Sequence, residues 1–189
     1  LTKVFYTAGG REVRDGGGVK PDVEVKPDSL PNIAFYLAGA RDSNEVMLNY
    51  EVGYIAKHPA IAPAKEFSLT DADYDEFKTR VLKANFQYDR ETEKYLKDLE
   101  KLAKFEGYYD DAKAEFEALK KKLSHNVAKD LDYNKDYIKH LLENDIVSAY
   151  YFQRGAIQNS MRYDKQIKEA VKLLNSPSEY EKILHPVKK

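Results

Sequence analysis

The sequence predicts a mainly α fold: a multi-helix bundle of roughly six to eight helices preceded by a short β hairpin. Three observations carry this. Apolar residues recur at three- and four-residue spacing over most of the chain beyond residue 30, as in Ile138, Leu141, Leu142 and Ile146. Helix start and stop signals punctuate those stretches. Only the amino-terminal stretch, with Val4-Phe5-Tyr6-Thr7 and Val23-Glu24-Val25 on either side of a glycine run, is rich in strand formers.

The elements follow in order. Lys3 to Thr7 and Arg11 to Arg14 pair as a hairpin across Ala8-Gly9-Gly10. Gly16-Gly17-Gly18 marks a tight turn or a close backbone approach, because glycine enters positive φ without steric cost. Pro21 holds Lys20 out of the α region. Val23-Glu24-Val25 reads as an edge strand. A two-stranded hairpin is marginal in water, so it packs on the helices, pairs with another chain or stays mobile.

Pro27 to Pro31 is a linker. Asn32 to Ala38 is a short apolar helix stopped near Gly39. Ser43 caps a helix from Glu45 to Lys57, ended by His58-Pro59. Thr70 opens the next helix with Asp73 at its third position and Leu69 stapled to Tyr74. That helix runs to about Ala84, with Tyr74, Phe77, Val81 and Leu82 inward. Asp89 caps a helix whose stripe is Tyr95, Leu96, Leu99, Leu102 and Ala103, and Gly107 closes it.

Tyr108 to about Leu131 reads as one long, charged helix. Ala112, Phe116, Leu119, Leu123, Val127 and Leu131 give it the narrow seam of an antiparallel helical hairpin or coiled coil. Asn134 to Ser160 is the most apolar helix and the centre of the bundle. Ile138, Leu141, Leu142, Ile146, Ala149, Tyr150, Gln153 and Ile157 point inward, and Gly155 interrupts it. Asp164 to Asn175 follows, and a last helix opens with Ser176, Pro177 and Glu179 and ends at His185-Pro186.

Composition bounds function. The chain has 189 residues, 42% hydrophobic and 33% charged, enough apolar material for a core beneath a charged surface. Lys and Arg total 31 against 32 Asp and Glu. That balance argues against broad, non-specific nucleic-acid binding. There are no cysteines, which excludes disulfide scaffolds and thiolate metal sites. No apolar run approaches the roughly 20 residues of a transmembrane helix. The 15 tyrosines pack at the boundary of core and solvent or form a stacking, peptide-binding platform.

The string Gly10-Arg11, a short spacer, then Gly16-Gly17-Gly18-Val19-Lys20-Pro21-Asp22 resembles the end of the protease domain in the carboxyl-terminal processing (tail-specific) serine peptidases. It is most similar to the envelope-exported members of Bacteroidetes, which carry a long helical extension after this motif. Phe67-Ser68-Leu69-Thr70-Asp71 and Glu143 to Tyr151 are similar to stretches of that extension. The resemblance implies that residues 1–27 end a protease domain, whose sheet the hairpin strands complete, and that residues 28–189 form a carboxyl-terminal helical domain.

In that family a Ser nucleophile, in a Gly-Ser-x-Ser-Ala context, and a Lys base precede the glycine motif. This chain holds no such Ser context. The resemblance therefore implies a non-catalytic region of a Ser–Lys endopeptidase that cleaves envelope proteins near their carboxyl termini. No residue here takes a catalytic, cofactor or metal role. The expected partners are the upstream protease domain of the same polypeptide, protein substrates or an adaptor, and a second copy of the chain. The expected location is the periplasm or envelope of a Gram-negative bacterium. The alternative is a free-standing helical interaction module with no protease parentage.

The remaining chemistry-bearing residues each have a structural reading. His58, His125, His140 and His185 share no close metal spacing, and His58 and His185 sit at helix ends, where a cation is favoured. Asp71, Asp73, Asp75, Glu76, Asp110 and Asp111 follow no EF-hand pattern. Gly16 to Gly18 is followed by no Gly-Lys-Ser/Thr and is no phosphate loop. Lys120-Lys121-Lys122 is a solvated face or a basic contact for an acidic partner. Asp145 and Arg154 are surface residues or an internal ion pair, or they contact a peptide terminus or an interface.

Overall fold

The structure, a computed structural model, describes residues 3–16, 18, 20–39 and 45–185. The expectations placed on Gly17, Val19, Ser43 and Pro186 lie outside them. Among the described residues there are two strands, β1 (Val4–Tyr6) and β2 (Glu12–Arg14), and nine helices. The helices are α1 (Asn32–Ala38), α2 (Val46–Lys57), α3 (Asp71–Lys83), α4 (Glu91–Glu106), α5 (Lys113–Lys122), α6 (Val127–Tyr133), α7 (Lys135–Ser160), α8 (Lys165–Leu174) and α9 (Pro177–Leu184). The mainly helical fold with a short amino-terminal hairpin is the one expected. The chain divides into two compact units, residues 1–29 with 160–189, and residues 30–159.

The larger unit contains every buried side chain among the described residues. Its core joins Ile33 and Leu37 of α1, Tyr50 of α2, Tyr74 and Phe77 of α3, Leu131 of α6, and Ile138, Leu142 and Ile146 of α7. Spacing explains the contribution of α3: Tyr74, Phe77 and Val81 recur every three or four residues and are fully buried. Its start is the predicted capping box. Thr70 Oγ1 accepts from the Asp73 amide at 3.1 Å, and the Asp73 carboxylate accepts from the Thr70 amide at 2.8 Å. Leu82, expected inward, is 41% exposed; one residue past Val81, it lies off the stripe.

Three expectations are corrected. The long helix predicted from Tyr108 to Leu131 is two helices. Leu123, Ser124, His125 and Asn126 separate α5 from α6. The Arg90 guanidinium donates to the Leu123 carbonyl at 2.9 Å, and Asn126 caps α6 by accepting from the Lys129 amide at 3.0 Å. Short polar side chains that bond the backbone locally favour such caps over a helix interior. Asp89 does not cap α4. Its carbonyl accepts from Asn32 and its carboxylate from Tyr36, so α1 occupies it. The third correction concerns α7, whose break lies at Phe152 (φ 55°, ψ −163°) rather than Gly155. Past that break Gln153 and Ile157 are exposed instead of inward, and Ala149, also expected inward, is exposed ahead of it.

In the smaller unit the predicted hairpin forms, antiparallel, with Val4 opposite Arg14, Phe5 opposite Val13 and Tyr6 opposite Glu12. Gly10 takes φ 80° in its turn. Gly16 and Gly18 also hold positive φ, at 73° and 82°. An added Cβ at Gly18 would meet nothing within 4 Å, so glycine is needed there for its dihedral rather than for space. Val23 to Val25 is extended but joins no ladder among the described residues, so no edge strand forms.

Candidate interaction sites

The connection between α2 and α3, residues 58–70, is held down by side chains of α7. Glu143, fully buried, accepts from the Ser68 hydroxyl at 2.7 Å and the Leu69 amide at 2.9 Å. Tyr150 donates to the His58 carbonyl, and Tyr151 donates to the Ile61 carbonyl at 3.1 Å. Asn159 donates to the carbonyls of Ala64 and Phe67 at 3.1 and 3.3 Å. A connection that forms no ladder leaves backbone groups to satisfy, and these polar side chains satisfy them. The stretches Phe67–Asp71 and Glu143–Tyr151, quoted separately in the sequence, therefore meet in space.

Three tyrosines of this unit pack and donate hydrogen bonds, while Tyr95, Tyr108 and Tyr133 are exposed. Tyr50 donates to the Asp73 carbonyl at 2.9 Å, Tyr74 to the Leu131 carbonyl at 2.8 Å and Tyr88 to the Asp130 carboxylate at 2.9 Å. Burial, with nearby carboxylates adding to it, pushes all three phenols up from their ordinary pKa. They stay neutral donors across the physiological range.

The charged candidates resolve one by one. Lys120 bridges Glu100 of α4, at 2.8 Å, and Glu117 of its own helix, at 2.9 Å. With Lys104 also 2.8 Å from Glu100, the hydrogen bonds of the two lysines hold the Glu100 carboxyl down at about 2. Lys121 and Lys122 remain exposed. Asp71 pairs with Lys135 of α7 at 2.9 Å, and Glu76 with Arg80 at 2.6 Å and Lys57 at 3.2 Å. His58 stacks on Tyr54 with ring centroids 4.0 Å apart, at the end of α2. His125 packs edge-on to Tyr88, and His185 lies 3.6 Å from Glu181. Among the described residues no three His, Cys, Asp or Glu side chains gather to hold a metal.

Asp145 is different. With Glu45, Glu51, Leu37, Met47 and Leu48 it lines an open cavity of about 380 Å³ between α1, α2 and α7. Arg154 is exposed and is not part of that lining. Glu51 was not singled out by the sequence reading. The signal was present, since Met47, Tyr50, Glu51 and Tyr54 share one helical face, and that face is the buried one.

The smaller unit exposes what it would need to bury. Both strands are exposed along their length, including Phe5 at 51% and Val13 at 40%. Asp164 caps α8 through the amides of Gln166 and Ile167, at 2.8 and 3.0 Å. Ser176 makes no side-chain cap at α9, although Pro177 opens it as expected. Neither helix buries a residue, and they line an apolar cavity of about 720 Å³ with the extended segment from Pro21 to Pro27.

A family model described as probable PDZ-protease, C-terminal helical domain, matches residues 33–174. The chain belongs to this family. No match is found among curated proteins or among solved structures. Helices α1 to α8 thus make up the carboxyl-terminal helical domain of a probable PDZ-protease, and the residues joining α7 to the 58–70 connection lie inside the matched span. The glycine motif, residues 10–22, lies outside it, so it is a separate signal. Among the described residues of this helical domain, no helix is long and apolar enough to cross a membrane.

Proposed function

We propose that this chain is the carboxyl-terminal part of a Ser–Lys endopeptidase of the carboxyl-terminal processing type, acting in the envelope of a Gram-negative bacterium. Residues 1–27 end its protease domain, and residues 28–189 engage protein substrates or an adaptor, or set the oligomeric state. One observation carries the reading: the motif from Gly10 to Asp22 stands directly before the span that matches the helical domain of a probable PDZ-protease. Two independent signals of the same parentage occur in the order a protease with a carboxyl-terminal helical domain requires.

The exposed hairpin supports it. A two-stranded ribbon with both faces open is not stable by itself, and a protease-domain sheet would supply the missing strands and the missing apolar face. In the parent, the upstream Ser attacks the scissile carbonyl once Lys has taken its proton, and backbone amides hold the oxyanion.

The test compares the full-length protein with the 189-residue chain on an unfolded protein substrate. Cleavage is expected from the full-length protein, lost when the Ser of an upstream Gly-Ser-x-Ser-Ala segment is replaced by Ala, and none is expected from the chain alone. A reading frame without that segment, or serine-dependent cleavage by the chain alone, contradicts the proposal.

A further inference from the structure

Glu51 is a charged residue in the wrong place. It is 8% exposed, and its Oε1 has no hydrogen-bond partner. An ionised carboxylate removed from water without a partner is strongly disfavoured. Asp145 stands at the rim of the same cavity, and Glu45 adds a third carboxylate. Among the described residues, no lysine or arginine lines it. The walls are apolar: Leu37 and Met47 are buried, and Leu48 is 53% exposed at the mouth.

This combination selects one chemistry. Apolar walls leading to an unpaired, buried carboxylate match a side chain with a long aliphatic stem and a cationic head. A bare metal ion does not fit, since among the described residues no set of three ligating side chains converges and hard cations take six or more oxygens. A wholly apolar ligand would leave the Glu51 Oε1 without a hydrogen-bond partner.

We propose that the cavity between α1, α2 and α7 is a docking pocket for a lysine or arginine side chain of a partner polypeptide. The cation pairs with Glu51 at the floor and Asp145 at the rim, and the stem lies along Leu37, Met47 and Leu48. This rests on the pocket alone and holds whether or not the protease reading does.

The pocket has a distinctive pH signature. Burial first, and then repulsion from Asp145, pushes the free Glu51 carboxyl up to about 8. The bound cation requires it ionised. Below about pH 8 binding must expel a proton, so affinity rises with pH, approaching tenfold per unit, and levels off above that value. Glu45 and Asp145 are the other titratable groups lining the pocket.

The experiment is a nuclear magnetic resonance titration of the 189-residue chain with a capped pentapeptide, Ala-Ala-Lys-Ala-Ala, and its arginine and norleucine counterparts. The lysine or arginine peptide should shift amides of Met47 to Glu51 and of Asp145, with affinity rising at least tenfold between pH 6 and 8. The norleucine peptide should not. Both E51Q, which keeps the side-chain shape, and D145N should weaken binding, and E51Q should abolish its pH dependence. Equal binding of the norleucine peptide, or a pH-independent affinity, overturns the proposal. So does binding that appears only in R41A, because Arg41, just upstream of Glu45 in sequence, would then supply the cation from within the chain.

Discussion

Two buried glutamates in the larger unit have opposite fates. Glu143 is fully buried and accepts two hydrogen bonds from the 58–70 connection. Glu51 is buried with an unpartnered oxygen. Replacing Glu143 by Ala leaves the Leu69 amide unsatisfied in the interior, at a loss of about 2–4 kcal/mol, while E143Q keeps an acceptor and loses less. Urea denaturation of both variants reads the difference. For Glu51 the sign depends on pH. The unfolded chain ionises it in the usual carboxylate range, but the folded chain holds its proton up to about pH 8. Between those values the folded state binds more protons, so this group's contribution to stability falls as pH rises and is flat above about 8. E51Q should therefore stabilise the chain by about 2–4 kcal/mol at pH 8.5 and change little at pH 4. Equal effects at the two pH values contradict a buried, unpaired carboxylate.

At the scale of elements, α7 is the piece on which the larger unit depends, and its backbone departs from a helix at one residue. Phe152 sits at φ 55° and ψ −163°, a region populated almost only by glycine, and its ring is 77% exposed. F152G should relieve that strain while losing little burial, raising stability by about 1 kcal/mol or more. Gly155 behaves in the opposite way. A Cβ there would lie 2.2 Å from Tyr151 Cβ and 3.2 Å from Val147 Cγ1, so G155A should lower stability by about 1–3 kcal/mol despite the better helix propensity of alanine. Thermal melts of the pair test the position of the break. Capping and periodicity made most elements legible in the sequence: Asn32–Ala38 and the Thr70–Asp73 box are found where the residues place them. What the sequence hides depends on distant partners. Arg90 reaching Leu123 helps end α5, and α1 takes Asp89 away from α4. The stripe read on α4 is real as a pattern, yet only Leu96 is buried, with Leu99 and Leu102 half exposed. Periodicity tells which face is apolar but not whether anything covers it.

For the whole molecule, the division of burial is the main result. The unit of residues 30–159 carries a complete core, and the unit of residues 1–29 with 160–189 buries no described residue. Stability follows burial, so the two units should open at different free energies. The acidic cavity belongs to the larger unit, and its Asp145 was legible as a residue of interest while Glu51 was legible only as part of an apolar face. The smaller unit is the one that a protease-domain sheet would complete. Hydrogen exchange tests this most directly. Amides of Val4 to Tyr6 and Glu12 to Arg14 should exchange within seconds in the 189-residue chain, while those of α7 are slow. In the full-length protein the same strand amides should become protected as they join the protease sheet. Equally rapid exchange of the strands in the full-length protein, or full protection in the isolated chain, would contradict the account.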